Sequence, residues 1–275
     1  MQTTQTTQTT QTTQTTQTTE TTQTRQRWKV RSGVYLVVAF LAAGALGAAQ
    51  PATGIPTEVV QLTQFGPALG VALAALLWPS RTRGLLAGPP GHPASPWRQL
   101  LVTPLLITLL AAGPYALLTG TAHTTDPSSL HHPFLLIALA QLVGACGEEI
   151  GWRCFLQPLL RTRFGPLTAS VTVGAVWGLW HVQALAQGPA YAAGFLLATI
   201  AMSVVLGLAM EEVGGLRRLL LAGGFHALVN LGMLLFMDEE TGSALPMVLF
   251  GLACAVTAVP WVWRRREVTI PAAVG

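Results

Sequence analysis

Between Gly33 and Trp263 the chain is a succession of apolar runs, each about as long as a bilayer is thick. A helix needs about 20 mostly apolar residues to cross the hydrocarbon region. Candidate runs lie at roughly 33–50, 58–78, 99–119, 134–160, 166–187, 190–210, 218–237 and 243–263. Breakers separate them: "QPATGIP", "GPPGHPASP", "TTDPSSLHHP", "FGP", "QGP", "GG" and "DEETGS". Only 9% of the 275 residues are charged, against about 25% in soluble domains. The expected fold is therefore all-α: a polytopic membrane protein of about eight transmembrane helices.

The domain organisation follows. A "QTT" repeat fills residues 1–24; it has no apolar face to bury and is expected to be disordered. A single membrane domain spans 25–266, and 267–275 form a short tail. Cys146, Cys154 and Cys254 all sit in apolar runs without C-x-x-C spacing, so no disulfide or zinc framework is expected.

Basic residues sort by connection. Arg25, Arg27, Lys29 and Arg31 precede the first run; Arg81, Arg83 and Arg98 follow the second; Arg161 and Arg163 follow the fourth; Arg217 and Arg218 follow the sixth; Arg264, Arg265 and Arg266 follow the eighth. The alternate connections carry acid instead: Glu58, Asp126 and Asp238-Glu239-Glu240. Lys and Arg concentrate on the cytoplasmic side of membrane proteins. Eight spans with both termini cytoplasmic satisfy this pattern. The basic balance thus reports topology, and no nucleic-acid partner is expected.

Few ionisable groups remain inside the runs: Glu148, Glu149 and Arg153 in "GEEIGWR", His181 in "WGLWH", and His226 in "HALVN", with Asn230 beside it. A charge at mid-bilayer costs roughly 2.5–3.5 kcal/mol on insertion scales, so such residues face a protein interior and usually have a task. Glu149 and Arg153 are i,i+4 and can neutralise each other. Glu148 is turned by about 100° and faces elsewhere. Trp177 and His181 share a face, as do His226 and Asn230. At about 1.5 Å per residue, Glu148, His181, His226 and Asn230 reach roughly similar depths on three helices. A polar intramembrane chamber is expected where they meet. The acidic pair Glu211 and Glu212, near Arg217 and Arg218, reads as a solvated cluster at a helix end.

A carboxylate and two imidazoles around one water can hydrolyse a peptide. Glu148 would act as general base and His181 would help to activate the water. His226 and Asn230 would donate to the oxyanion. The same Glu148, His181 and His226 could instead hold a divalent metal such as zinc. No H-E-x-x-H spacing favours that version. The set could also serve a proton-coupled transporter, although spans four, five and seven have no counterparts in spans one to three. A non-catalytic scaffold or immunity-type protein is the third class.

"EEIGWR", "WGLWH" and "HALVN", in that order on separate spans, resemble the E-E-x-x-x-R, F-x-x-x-H and H-x-x-x-N motifs of the CPBP (Abi, CAAX-protease-and-bacteriocin-processing) intramembrane proteases. The resemblance covers roughly 134–237. The eight-run layout is similar to that of the Ras-converting CAAX prenyl endopeptidases of that family. The resemblance implies a glutamate-dependent endopeptidase, metal-dependent or not, that cuts a membrane-associated or lipidated peptide in the plasma membrane of a bacterium. It implies Glu148, His181, His226 and Asn230 as catalytic residues, with Glu149 and Arg153 in support. Trp177 stands where the family has Phe; the expected consequence is a change in packing with little effect on chemistry.

Overall fold

The computed structural model describes residues 3–89, 96–237 and 242–269, with side chains between Arg27 and Arg264 in those ranges. The acidic run Asp238-Glu239-Glu240, the side chains of Arg25, Arg265 and Arg266, and tail residues 270–275 lie outside it. Among the described residues all regular structure is helical: α1 (Thr3–Thr53), α2 (Gly66–Leu77), α3 (Pro79–Ala87), α4 (Trp97–Thr119), α5 (Phe134–Gly151), α6 (Gln157–Arg161), α7 (Pro166–Trp180), α8 (Val182–Leu185), α9 (Pro189–Ala209), α10 (Gly215–Phe236) and α11 (Ala244–Thr269). Helix α1 carries the QTT tract as its N-terminal continuation, where composition alone predicts disorder.

Among the described residues six segments are long and apolar enough to cross a membrane: Arg27–Thr53, Trp97–Thr119, Phe134–Arg161, Pro189–Ala209, Gly215–Phe236 and Ala244–Arg264. The chain is a polytopic, all-α integral membrane protein, but with about six full spans, not eight. The second and fifth expected spans fall short. Helix α2 has 12 residues and α7 has 15, about 18 and 22 Å at 1.5 Å each, against a hydrocarbon thickness of about 30 Å. Helix α2 is preceded by a 3₁₀ turn, Leu62–Phe65, instead of a further α-helical turn. Helix α7 stops because His181 leaves the helical region (φ −83°, ψ 67°).

The two short helices still carry the chain from end to end. Trp28 meets Phe164 edge-on (centroids 5.4 Å apart), and the Arg31 guanidinium lies 5.8 Å from the Trp78 ring centroid. Arg161 donates to both Glu211 oxygens from Nε (2.8 and 3.0 Å) and to one from Nη2 (2.7 Å). Arg218 donates to the carbonyls of Val213 (2.6 Å) and Leu85 (3.4 Å). The basic connections therefore gather at one end of the bundle. At the other end, Glu58 accepts from the His131 N–H (3.1 Å) and pairs with His132 Nδ1 (2.6 Å). The His132 contact holds the Glu58 carboxyl below the usual carboxylate range. The expected solvated cluster at 211–218 is built differently: Glu211 is ion-paired with Arg161, and Arg218 is buried among carbonyls.

Close helix approach sets the interior. Helix α9 packs on α7 at Gly174 and Gly178, and on α11 where Gly194 meets Gly251. Small residues at helix contacts are the usual membrane solution, since lipid leaves no hydrophobic drive between helices. A Cβ on Gly174 would stand 2.6 Å from Ile200 Cα and 2.8 Å from the Thr199 carbonyl oxygen. Both are backbone atoms that can yield only by moving a helix. Gly174→Ala is expected to destabilise by about 1–3 kcal/mol, read as a lower unfolding midpoint in detergent; an unchanged midpoint would contradict this packing.

Candidate functional site

The motif-bearing end of α5 is pressed against the chain entering α2. Gly144, Gly147 and Gly151 face Gln64, Phe65 and Pro67, with the Tyr35 hydroxyl also against Gly151. Any Cβ there would collide with these groups, so the glycines let α5 sit deep. Directly after Gly151 the helix widens into a π turn, Trp152–Leu156, in which the Gln157 N–H reaches back to the Trp152 carbonyl. Such turns concentrate at functional sites.

The adjacent carboxylates Glu148 and Glu149 are 2% and 0% exposed, and they part as the 100° helical step requires. Glu149 has a hydrogen bond at one oxygen and an ion-pair contact, without a hydrogen bond, at the other. Arg153 Nε lies 3.2 Å from one, and His226 Nδ1 on α10 lies 2.9 Å from the other. The i,i+4 pair expected from the sequence is present, and His226 is added to it. Glu148 points to α7, where the Trp177 indole N–H donates to one of its oxygens at 2.7 Å. Among the described residues its other oxygen takes no hydrogen bond.

His181 is placed by the break in α7. Its N–H bonds to the Gly178 carbonyl, which leaves the Trp177 carbonyl without its i+4 donor. The His181 ring supplies one: Nδ1 lies 2.9 Å from that oxygen. A carbonyl can only accept, so Nδ1 carries the proton and Nε2 presents a lone pair. His226 Nδ1–H likewise donates to the Glu149 carboxylate. The His181 ring is walled by Trp180 and Phe195, at centroid distances of 4.8 and 5.0 Å.

Contacts from Glu148 to Trp177 and from Glu149 to His226 bring α5, α7 and α10 together at these residues. Two contacts add to the sequence reading. His226 is bonded to Glu149, and not to the glutamate expected to do chemistry. Asn230, on the face expected, donates to Gln141 on α5 at 3.1 Å. Gln141 was missed, although a lone polar residue two turns before Glu148 in "LIALAQLVG" is a usable signal. Tyr35, whose ring lies between Gly70, Trp152 and Phe155, had no comparable signal. Among the described residues no three His, Cys, Asp or Glu side chains form a metal-holding group. The chemistry below is written through side chains alone.

Residues 130–232 match the family model described as Rce1-like, type II CAAX prenyl endopeptidase. Lysostaphin resistance protein A of Staphylococcus epidermidis is 22% identical over 239 residues, 86% of this chain and 62% of that protein. The protein of the same name from Staphylococcus aureus strain Newman is 21% identical, over 86% of this chain and 57% of its own length. The chain therefore spans about three fifths of the length of the curated relatives it matches. The matched segment contains Glu148, Glu149, Arg153, Trp177, His181, His226 and Asn230, the residues that meet around the chamber. By that segment the chain is similar to the Rce1-like, type II CAAX prenyl endopeptidases, and the segment carries the three motifs that resemble those of the CPBP proteases.

Proposed function

We propose that this chain is an intramembrane endopeptidase that hydrolyses a peptide bond of a membrane-associated or lipidated peptide through water activated by Glu148. One observation carries the reading. Of two adjacent buried carboxylates, Glu149 is committed to Arg153 and His226, while Glu148 is fixed by one donor with its second oxygen open. That is the division of labour a hydrolase needs: one carboxylate holds the scaffold, the other moves a proton.

In this reading Glu148 takes a proton from water while His181 Nε2 accepts the water's second hydrogen bond and orients it. The oxygen attacks the scissile carbonyl carbon, whose own oxygen becomes the oxyanion. His226, protonated on both nitrogens, donates from Nε2, and the Asn230 amide donates its second N–H. Glu148 then returns its proton to the leaving amine as the C–N bond breaks. Both termini, with the basic end of the bundle, lie on the cytoplasmic side of a bacterial plasma membrane. The partners are the bilayer and the peptide substrate.

The test is hydrolysis of membrane-tethered and prenylated reporter peptides by the purified protein in proteoliposomes, with products identified by mass spectrometry. Cleavage at a defined bond that survives removal of trace proteases supports the reading. Proton-coupled flux without cleavage would replace it with a transporter. The resistance named in the relatives offers the other exit: a cellular phenotype retained in full by Glu148→Ala, without cleavage, would make the chain a non-catalytic membrane protein.

A further inference from the structure

The sequence suggests that an aromatic exchange at position 177 alters packing only. The structure gives Trp177 four separate contacts, each to a different member of the site. Its indole N–H donates to Glu148 (2.7 Å). Its ring lies under the Arg153 guanidinium, with the carbon 4.6 Å from the centroid. The ring edge meets His226, centroids 5.1 Å apart. Its backbone carbonyl receives His181 Nδ1 (2.9 Å). The residue is 2% exposed, and Gly174 and Gly178 seat its helix against α9, so its own position is fixed from behind.

Only one of these contacts needs the indole specifically. A phenyl ring can lie under a guanidinium and meet an imidazole edge, and any residue has a carbonyl. No phenyl ring can donate to a carboxylate. We propose that Trp177 is a positioning residue of this site: its indole N–H clamps one oxygen of Glu148, so that the opposite oxygen alone meets the reacting water. The proposal rests on the proteolytic reading for its consequence in turnover, but the clamp itself does not.

The clamp removes freedom. A glutamate side chain has three rotatable bonds, and an unpaired carboxylate also exchanges its two oxygens by rotation about the last. Fixing one oxygen from a second helix leaves a single carboxylate orientation. Positioning of this kind acts on the reacting geometry and leaves substrate contacts alone. The expected signature is therefore a fall in kcat with KM unchanged.

Two measurements test it. Trp177→Phe keeps the ring and the carbonyl and removes the donor; kcat on a reporter peptide should fall at least tenfold, with KM within threefold of wild type. A loss confined to KM, or full retention of kcat, overturns the proposal. The second measurement needs no turnover. With 15N-labelled tryptophan, the indole proton that disappears in Trp177→Phe should resonate downfield in the otherwise unaltered protein and move upfield in Glu148→Ala. An indole resonance that ignores Glu148→Ala overturns the clamp. Should the protein cleave nothing while this resonance responds, the proteolytic reading fails and the clamp stands.

Discussion

Glu148→Gln is expected to lower kcat by about 100- to 10,000-fold, the range in which general acid–base groups contribute, or roughly 3–5 kcal/mol of barrier. The amide keeps the size of the carboxylate and can still accept from the Trp177 indole, so the fold and the clamp persist. What it cannot do is take a proton from water or return one to an amine. Asn230→Ala gives the comparison. One oxyanion donor contributes about 100- to 1,000-fold, and Asn230 shares its amide with Gln141, so the loss should be smaller. Steady-state rates on a reporter peptide, beside unfolding midpoints in detergent, decide the order. A Glu148→Gln protein within tenfold of wild type would remove Glu148 from the chemistry.

The largest stability effect is expected at its neighbour. Glu149→Ala strips a fully buried carboxylate from Arg153, whose side chain has no exposure. Breaking one half of a buried ion pair costs about 3–5 kcal/mol because the remaining charge stays uncompensated, whereas replacing both halves by apolar groups is often neutral. Glu149→Ala should therefore lower the unfolding midpoint and the inserted yield sharply, and Glu149→Leu with Arg153→Leu should recover most of both. Activity should not return in the double variant, because His226 loses the carboxylate that holds its Nδ1. A single variant with a wild-type midpoint would show that the pair is dispensable.

These two outcomes also mark how far the residues could be read before folding. The Glu149–Arg153 pair was legible because it is local: i,i+4 spacing fixes it whatever the helix packs against. The separation of Glu148 from Glu149 was legible for the same reason. The partners across helices were not. The sequence reading offers no partner for His226 Nδ1, and the structure bonds it to Glu149. Trp177 was expected to pack, and it donates to the glutamate proposed as base. Both depend on how α7 and α10 are rotated about their axes relative to α5, which no single helix encodes.

The break at His181 shows the same limit. The run "WGLWHVQALAQ" has no proline, and its one glycine lies before the break, so helical continuation is the local expectation. The chain stops α7 there because the His181 ring can satisfy the carbonyl that the lost turn exposes. Legible from the residues alone are the membrane class, the charge alternation along the chain, and the three segments that carry ionisable groups. Those follow from hydropathy and from the cost of a lone charge in lipid, which are sums over nearby residues. The packing of the helices sets where α2 and α7 end, which six segments are long enough to cross, and which carboxylate each ring meets. Those depend on glycine contacts such as Gly147 on Phe65 and Gly178 on Thr199, where the absence of a side chain sets the distance and rotation between helices.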